Sequence, residues 1–164
     1  MSTLEIRNPA TGEAIASLAA DDAASVAAKA QAARAAQSAW AVRPLAERRR
    51  RMAGFRARVG REVGPLGQIL SRETGKPIRM ARNELNGLLP RIDFFLAETE
   101  QALAEEGVFE DGGLRERIEH APLGVVANIS AWNYPWFVGC NVILPPLLAA
   151  NAVLYKPSEY ATLT

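Results

Sequence analysis

Residues 122–159 read PLGVVANISAWNYPWFVGCNVILPPLLAANAVLYKPSE, and this stretch decides the fold. Two short apolar runs rich in β-branched residues, 125–129 (VVANI) and 152–155 (AVLY), flank an apolar segment that is too long for a strand and suits a buried helix. The pattern predicts one strand–helix–strand unit with parallel strands. Ser130, Ala131, Trp132 and Asn133 follow the first run, and Lys156, Pro157, Ser158 and Glu159 follow the second. In an open parallel sheet ligands gather beyond the carboxyl ends of the strands, so both clusters are candidate site segments.

Immediately upstream, residues 114–120 (LRERIEH) are polar on both faces and cannot form a central strand. They predict an edge strand or arm that pairs outside the segment. Residues 106–113 read as a turn-rich connector, and 77–105 as a long helix with Leu85, Leu88, Leu89 and Ile92 at helical spacing, which Pro90 should kink or divide. A helix beginning after Pro44 is expected to break at Gly64-Pro65, resume at Leu66 and stop at Gly75 and Pro77. Its arginines, including the run Arg48 to Arg51, predict a solvated face. Residues 3–20 predict a strand–turn–strand around Asn8-Pro9-Ala10-Thr11-Gly12, and Asp21 or Asp22 then caps an alanine-rich helix anchored by Trp40.

Composition narrows the function classes. An apolar share of 49% with 23% charged residues belongs to a globular chain, and a net charge of +1 gives no argument for nucleic acid or a membrane surface. No uninterrupted apolar stretch reaches the roughly 18 residues a membrane span needs, and the N-terminus lacks the apolar core of a secretory signal. The cytoplasm is the expected compartment. The single cysteine, Cys140, lies in an apolar helix without a base or cation to lower its pKa, so it reads as structural. His120 has no partners for a metal site, and none is expected. Thr74-Gly75-Lys76-Pro77 is not a phosphate loop, because Leu70 and Pro77 stand where that motif requires a glycine and a hydroxyl.

Several segments, in order and in register, resemble the aldehyde dehydrogenase superfamily: Asn8-Pro9-Ala10-Thr11-Gly12-Glu13, Glu73-Thr74-Gly75-Lys76-Pro77, Pro122-Leu123-Gly124-Val125, Ala131-Trp132-Asn133-Tyr134-Pro135 and the run from Pro145 through Asn151 to Lys156-Pro157-Ser158-Glu159. Ala131 and Ala150 depart from the family's proline and glycine. The resemblance implies an α/β fold in which an N-terminal helical layer precedes the first βαβ unit of a Rossmann-like parallel sheet. The implied division is residues 1–113 as strand, turn and helices, 114–120 as an oligomerisation arm from Leu114 to His120, and 121–164 as the first part of an NAD(P)-binding domain. Family members are several times longer, so the resemblance marks an amino-terminal piece that stops before the catalytic domain and is inactive alone.

The implied reaction oxidises an aldehyde to a carboxylic acid with NAD or NADP, NAD being preferred, through a cysteine hemithioacetal and thioester whose nucleophile this chain lacks. By resemblance, the side-chain amide of Asn133 donates to the developing oxyanion; read without the resemblance, Asn133 is a helix cap. Ile129, Ser130, Ala131, Trp132, Lys156, Ser158 and Glu159 are implied cofactor contacts, Lys156 and Glu159 through the adenosine ribose. Tyr134, Val138 and Asn141 share a helix face that borders the aldehyde channel in the family, although Asn141 could equally satisfy a neighbouring helix. The alternative is a non-catalytic fragment that acts by association with full-length subunits. No nucleic-acid or membrane partner is expected.

Overall fold

The computed structural model describes residues 2–164. Strands β1 (Thr3–Arg7) and β2 (Ala14–Ala19) form the expected antiparallel hairpin, with Ile6 buried. Helix α1 (Ala23–Ala41) starts at Asp22, whose side chain accepts from Ser25 N at 2.9 Å while Ser25 Oγ accepts from Asp22 N at 2.9 Å. This reciprocal pairing satisfies two amide groups that an isolated helix end leaves open.

Helix α2 (Leu45–Thr74) runs through Gly64-Pro65 without the expected break. Proline forfeits one helical hydrogen bond, but α2 packs along α3 (Ile78–Ala102), and burial of Val59 and Leu70 outweighs that loss. α3 likewise contains Pro90 undivided. Between the two helices Gly75 adopts φ +73°, and a side chain there would lie 2.8 Å from Pro9 Cγ. The sequence Thr-Gly-Lys thus serves as a helix stop on which the N-terminal turn rests.

The segment read as a connector is a strand, β3 (Glu106–Asp111), paired antiparallel with β4 (Leu114–Ile118) across the Gly112-Gly113 turn. Every residue of both strands is exposed, so no apolar alternation marked β3 in the sequence. The arm is therefore a hairpin whose partner strand is its own neighbour.

The opening stretch folds as expected: β5 (Val125–Ile129), α4 (Pro135–Leu148) and β6 (Ala152–Lys156), with β5 and β6 parallel and Ile129 opposite Lys156. Helices α1 and α4 both pack on this sheet, and α2 and α3 pack on α4. Val59, Leu85, Leu88, Ile92, Cys140 and Leu144 form the shared core. Full burial of a leucine or isoleucine contributes about 1.5–3 kcal/mol, which makes this helical layer the support of α4.

Candidate functional site

Side chains from the helical layer clamp α4 at both ends. At its C-terminus, Trp40 Nε1 donates to Leu147 O at 2.8 Å, Arg48 Nε to Leu148 O at 2.9 Å and Gln37 Nε2 to Ala150 O at 3.0 Å. The last carbonyls of a helix lack internal partners and carry partial negative charge, so a guanidinium there is favourable. Arg48 is buried, unlike its neighbours Arg50 and Arg51, and corrects the reading of the arginine run as uniformly solvated. Arg49, Arg51, Arg56 and Arg58 do form ion pairs on the surface. At the N-terminus of α4, buried Glu84 accepts from Trp136 N at 2.9 Å and Phe137 N at 3.2 Å.

This clamp presents the turn between β5 and α4. Asn133 is exposed; its Oδ1 accepts from Tyr134 N at 3.1 Å, and among the described residues its Nδ2 has no acceptor. The capping position belongs to Tyr134, which makes no side-chain cap. Lys76 Nζ donates to Asn133 O at 2.7 Å, pairs with Glu84 and lies 4.3 Å from the centre of the Tyr134 ring.

The second cluster lies beside the first, tied by Ser130 N donating to Lys156 O at 3.0 Å. Lys156 and Glu159 are exposed, with Nζ and Oε2 3.8 Å apart. Ile129, Ala131 and Trp132 are also exposed, and Trp132 meets Tyr160 edge-on at 6.4 Å. Ser130 is buried, with its Oγ beside the Tyr155 hydroxyl. Ser158 is also buried, and its Oγ accepts from Tyr160 N at 3.3 Å, a turn contact. A hollow of about 560 Å³ opens here, lined by Leu4, Ile6, Glu73, Trp132, Glu159 and Tyr160 among others.

A second hollow of about 440 Å³ lies on the α3 side, lined by Met80, Asn83, Glu84, Gly87, Tyr134 and Phe137. Of the three residues read as channel face, Tyr134 lines it; Val138 and Asn141 do not. Asn141 Oδ1 instead accepts from Arg91 Nε at 2.8 Å, so the amide satisfies a neighbouring helix. Burial, followed by the nearby charge of Glu84, pushes the Cys140 thiol up to about 12, which removes the thiolate a nucleophile requires.

Sequence reasoning did not find Lys76 and Glu84 as site residues. A signal was present for Glu84: a carboxylate between Ala81, Leu85 and Leu88 on the apolar stripe of α3. Lys76 stood in a failed phosphate-loop motif and in one of the segments that carry the family resemblance, but neither joined it to Asn133, since only folding brings it across 57 positions.

The family model described as the aldehyde dehydrogenase family matches residues 1–164. The chain is 39% identical over 159 residues to N-succinylglutamate 5-semialdehyde dehydrogenase 1 of Caulobacter vibrioides, covering 96% of this chain and 33% of that one. Among solved structures it superposes on the succinate-semialdehyde dehydrogenase of Burkholderia pseudomallei with a TM-score of 0.91 at 29% identity, covering 98% of this chain and 33% of that one. The NADP-dependent glyceraldehyde-3-phosphate dehydrogenase of Bacillus halodurans, complexed with NADP, gives a TM-score of 0.91 at 28% identity, covering 99% and 35%. The chain belongs to the aldehyde dehydrogenase family, and it spans about a third of the length of the curated relatives it matches.

Proposed function

We propose that the chain is the amino-terminal part of an NAD(P)-dependent aldehyde dehydrogenase that supplies the oxyanion donor and one wall of the cofactor cleft. The observation that carries this reading is the juxtaposition of Asn133, with a free amide donor, and the exposed pair Lys156 and Glu159 at the carboxyl edge of two parallel strands. A fixed amide stabilises the charge that develops on the aldehyde oxygen because it needs no reorganisation, and losing one such donor costs about 3 kcal/mol of barrier.

The residues present suit a dinucleotide. Lys156 can donate to ribose hydroxyls and Glu159 can accept from them, while Ile129, Ala131 and exposed Trp132 offer backbone and an apolar wall. Bound there, the nicotinamide cofactor would accept a hydride. Glu159 favours unmodified ribose over a 2′-phosphate, which supports NAD over NADP. Tyr134, at the second hollow, would contribute to the aldehyde side.

The remaining parts of the reading are a domain division at about residues 113 and 120, an oligomerisation arm beginning at Leu114, a cytoplasmic setting and no activity of residues 1–164 alone. Apolar exposure on the hairpin, at Val108, Phe109, Leu114 and Ile118, supports the arm and also favours the second reading, association without catalysis.

The test is performed on the complete gene product carrying residues 1–164. Asn133→Ala should lower kcat by roughly 100-fold or more, and Lys156→Ala should weaken NAD(P)+ binding measured by Trp132 fluorescence. Unchanged kcat in the first variant, or aldehyde-dependent NADH formation by residues 1–164 alone, would refute the reading.

A further inference from the structure

We infer that Lys76 and Glu84 form a positioning pair that sets the direction of the Asn133 amide, an inference that rests on the reading of Asn133 above. The peptide unit between Asn133 and Tyr134 is held on both edges. Its carbonyl oxygen accepts from Lys76 Nζ at 2.7 Å, and its N–H donates to Asn133 Oδ1 at 3.1 Å. A peptide is planar, so fixing its carbonyl also fixes its N–H. The carboxamide of Asn133 is bonded to that N–H by its oxygen, which leaves Nδ2 as the outward donor. Lys76 therefore aims the amide without touching any reacting atom.

Glu84 anchors the lysine and the helix together. One carboxylate oxygen pairs with Lys76, and the other accepts from Trp136 N and Phe137 N, the first turn of α4. The Asn133 carbonyl, through Lys76, and the first turn of α4 are thus referred to a single carboxylate on α3. The Lys76 and Glu84 side chains are 15% and 0% exposed. A buried ion pair yields little net stability over an apolar pair of similar volume, because desolvation offsets the attraction. What it supplies here is direction: three backbone groups near Asn133 are each given one partner.

The decisive experiment is a double-mutant cycle in the complete gene product. Lys76→Met should lower kcat about tenfold with KM for aldehyde and for NAD(P)+ within about twofold, and Lys76→Arg, which keeps a donor, should recover most of that loss. On the Asn133→Ala background, Lys76→Met should slow kcat no further, because the lysine acts only through that amide. Multiplicative losses in the double variant would overturn the inference. If Asn133→Ala alone leaves kcat unchanged, the oxyanion reading fails; if Asn133→Ala lowers kcat and Lys76→Met does not, only the positioning inference fails. A second readout uses the complete gene product labelled with nitrogen-15. Lys76→Met and Glu84→Gln should each move the Asn133 side-chain amide resonances while the backbone amide resonances of Val59, Leu88 and Ile92 stay in place. An unmoved Asn133 amide in both variants would equally overturn the inference.

Discussion

Arg48 Nε donates to the main-chain oxygen of Leu148 at 2.9 Å across 100 positions of sequence, and the same guanidinium bonds Arg43 O. One buried cation thus ties the entry of α2 to the exit of α4. Arg48→Ala would leave two carbonyls short of a partner in a water-poor setting, at about 1–3 kcal/mol. Urea unfolding should show a loss of about 2 kcal/mol for Arg48→Ala, while Arg50→Ala, on an exposed side chain, stays within about 0.5 kcal/mol.

Ala150 offers a prediction of opposite sign. It sits at φ +66°, where a side chain is crowded by the following carbonyl at a cost of about 1–2 kcal/mol, and the chain turns there from α4 into β6. Glycine removes that cost but loses more entropy on folding, about 0.5–1 kcal/mol. Ala150→Gly should therefore stabilise the chain by roughly 0.5–1 kcal/mol in the same urea assay. A loss of stability would show that contacts of the Ala150 methyl outweigh the strain.

Cys140 predicts a pH response. Burial raises the thiol to about 12, well above its unfolded value, so the folded state binds the proton more tightly than the unfolded chain. The resulting stability is fully present below the unfolded pKa and is lost as pH rises toward 12. Alkylation of Cys140 should be slow at pH 8 in native protein and rapid in urea. Fast native labelling at pH 8 would contradict the burial.

The β3–β4 hairpin exposes Phe109 at 47% and Ile118 at 48%. If the hairpin is the oligomerisation arm proposed above, Phe109→Asp with Ile118→Asp should shift size-exclusion elution of the complete gene product toward monomer, with the helical circular dichroism unchanged. Retained oligomer would remove the hairpin from the interface.

The parallel βαβ unit, the N-terminal hairpin and the cap at Asp22 were legible in the sequence, because alternation, turn residues and capping chemistry act over a few positions. The continuous path of α2 through Pro65 was not, since a local breaker signal yielded to packing against α3, and β3 escaped because an edge hairpin exposed on both faces leaves no periodicity. Asn133, Lys156 and Glu159 could be nominated from motifs at strand ends. Lys76, which holds the Asn133 carbonyl, could not be.

What the sequence determined by itself is therefore local: which runs become strands and helices, and which residues stand at the carboxyl edge of the sheet. Only the tertiary structure decided that Arg48 and Glu84 close the two ends of α4, and that Lys76 reaches the Asn133 carbonyl. The reason is physical. Main-chain donors and acceptors at a helix end are the same for every residue type but proline, so the sequence around them does not say which distant charge will meet them.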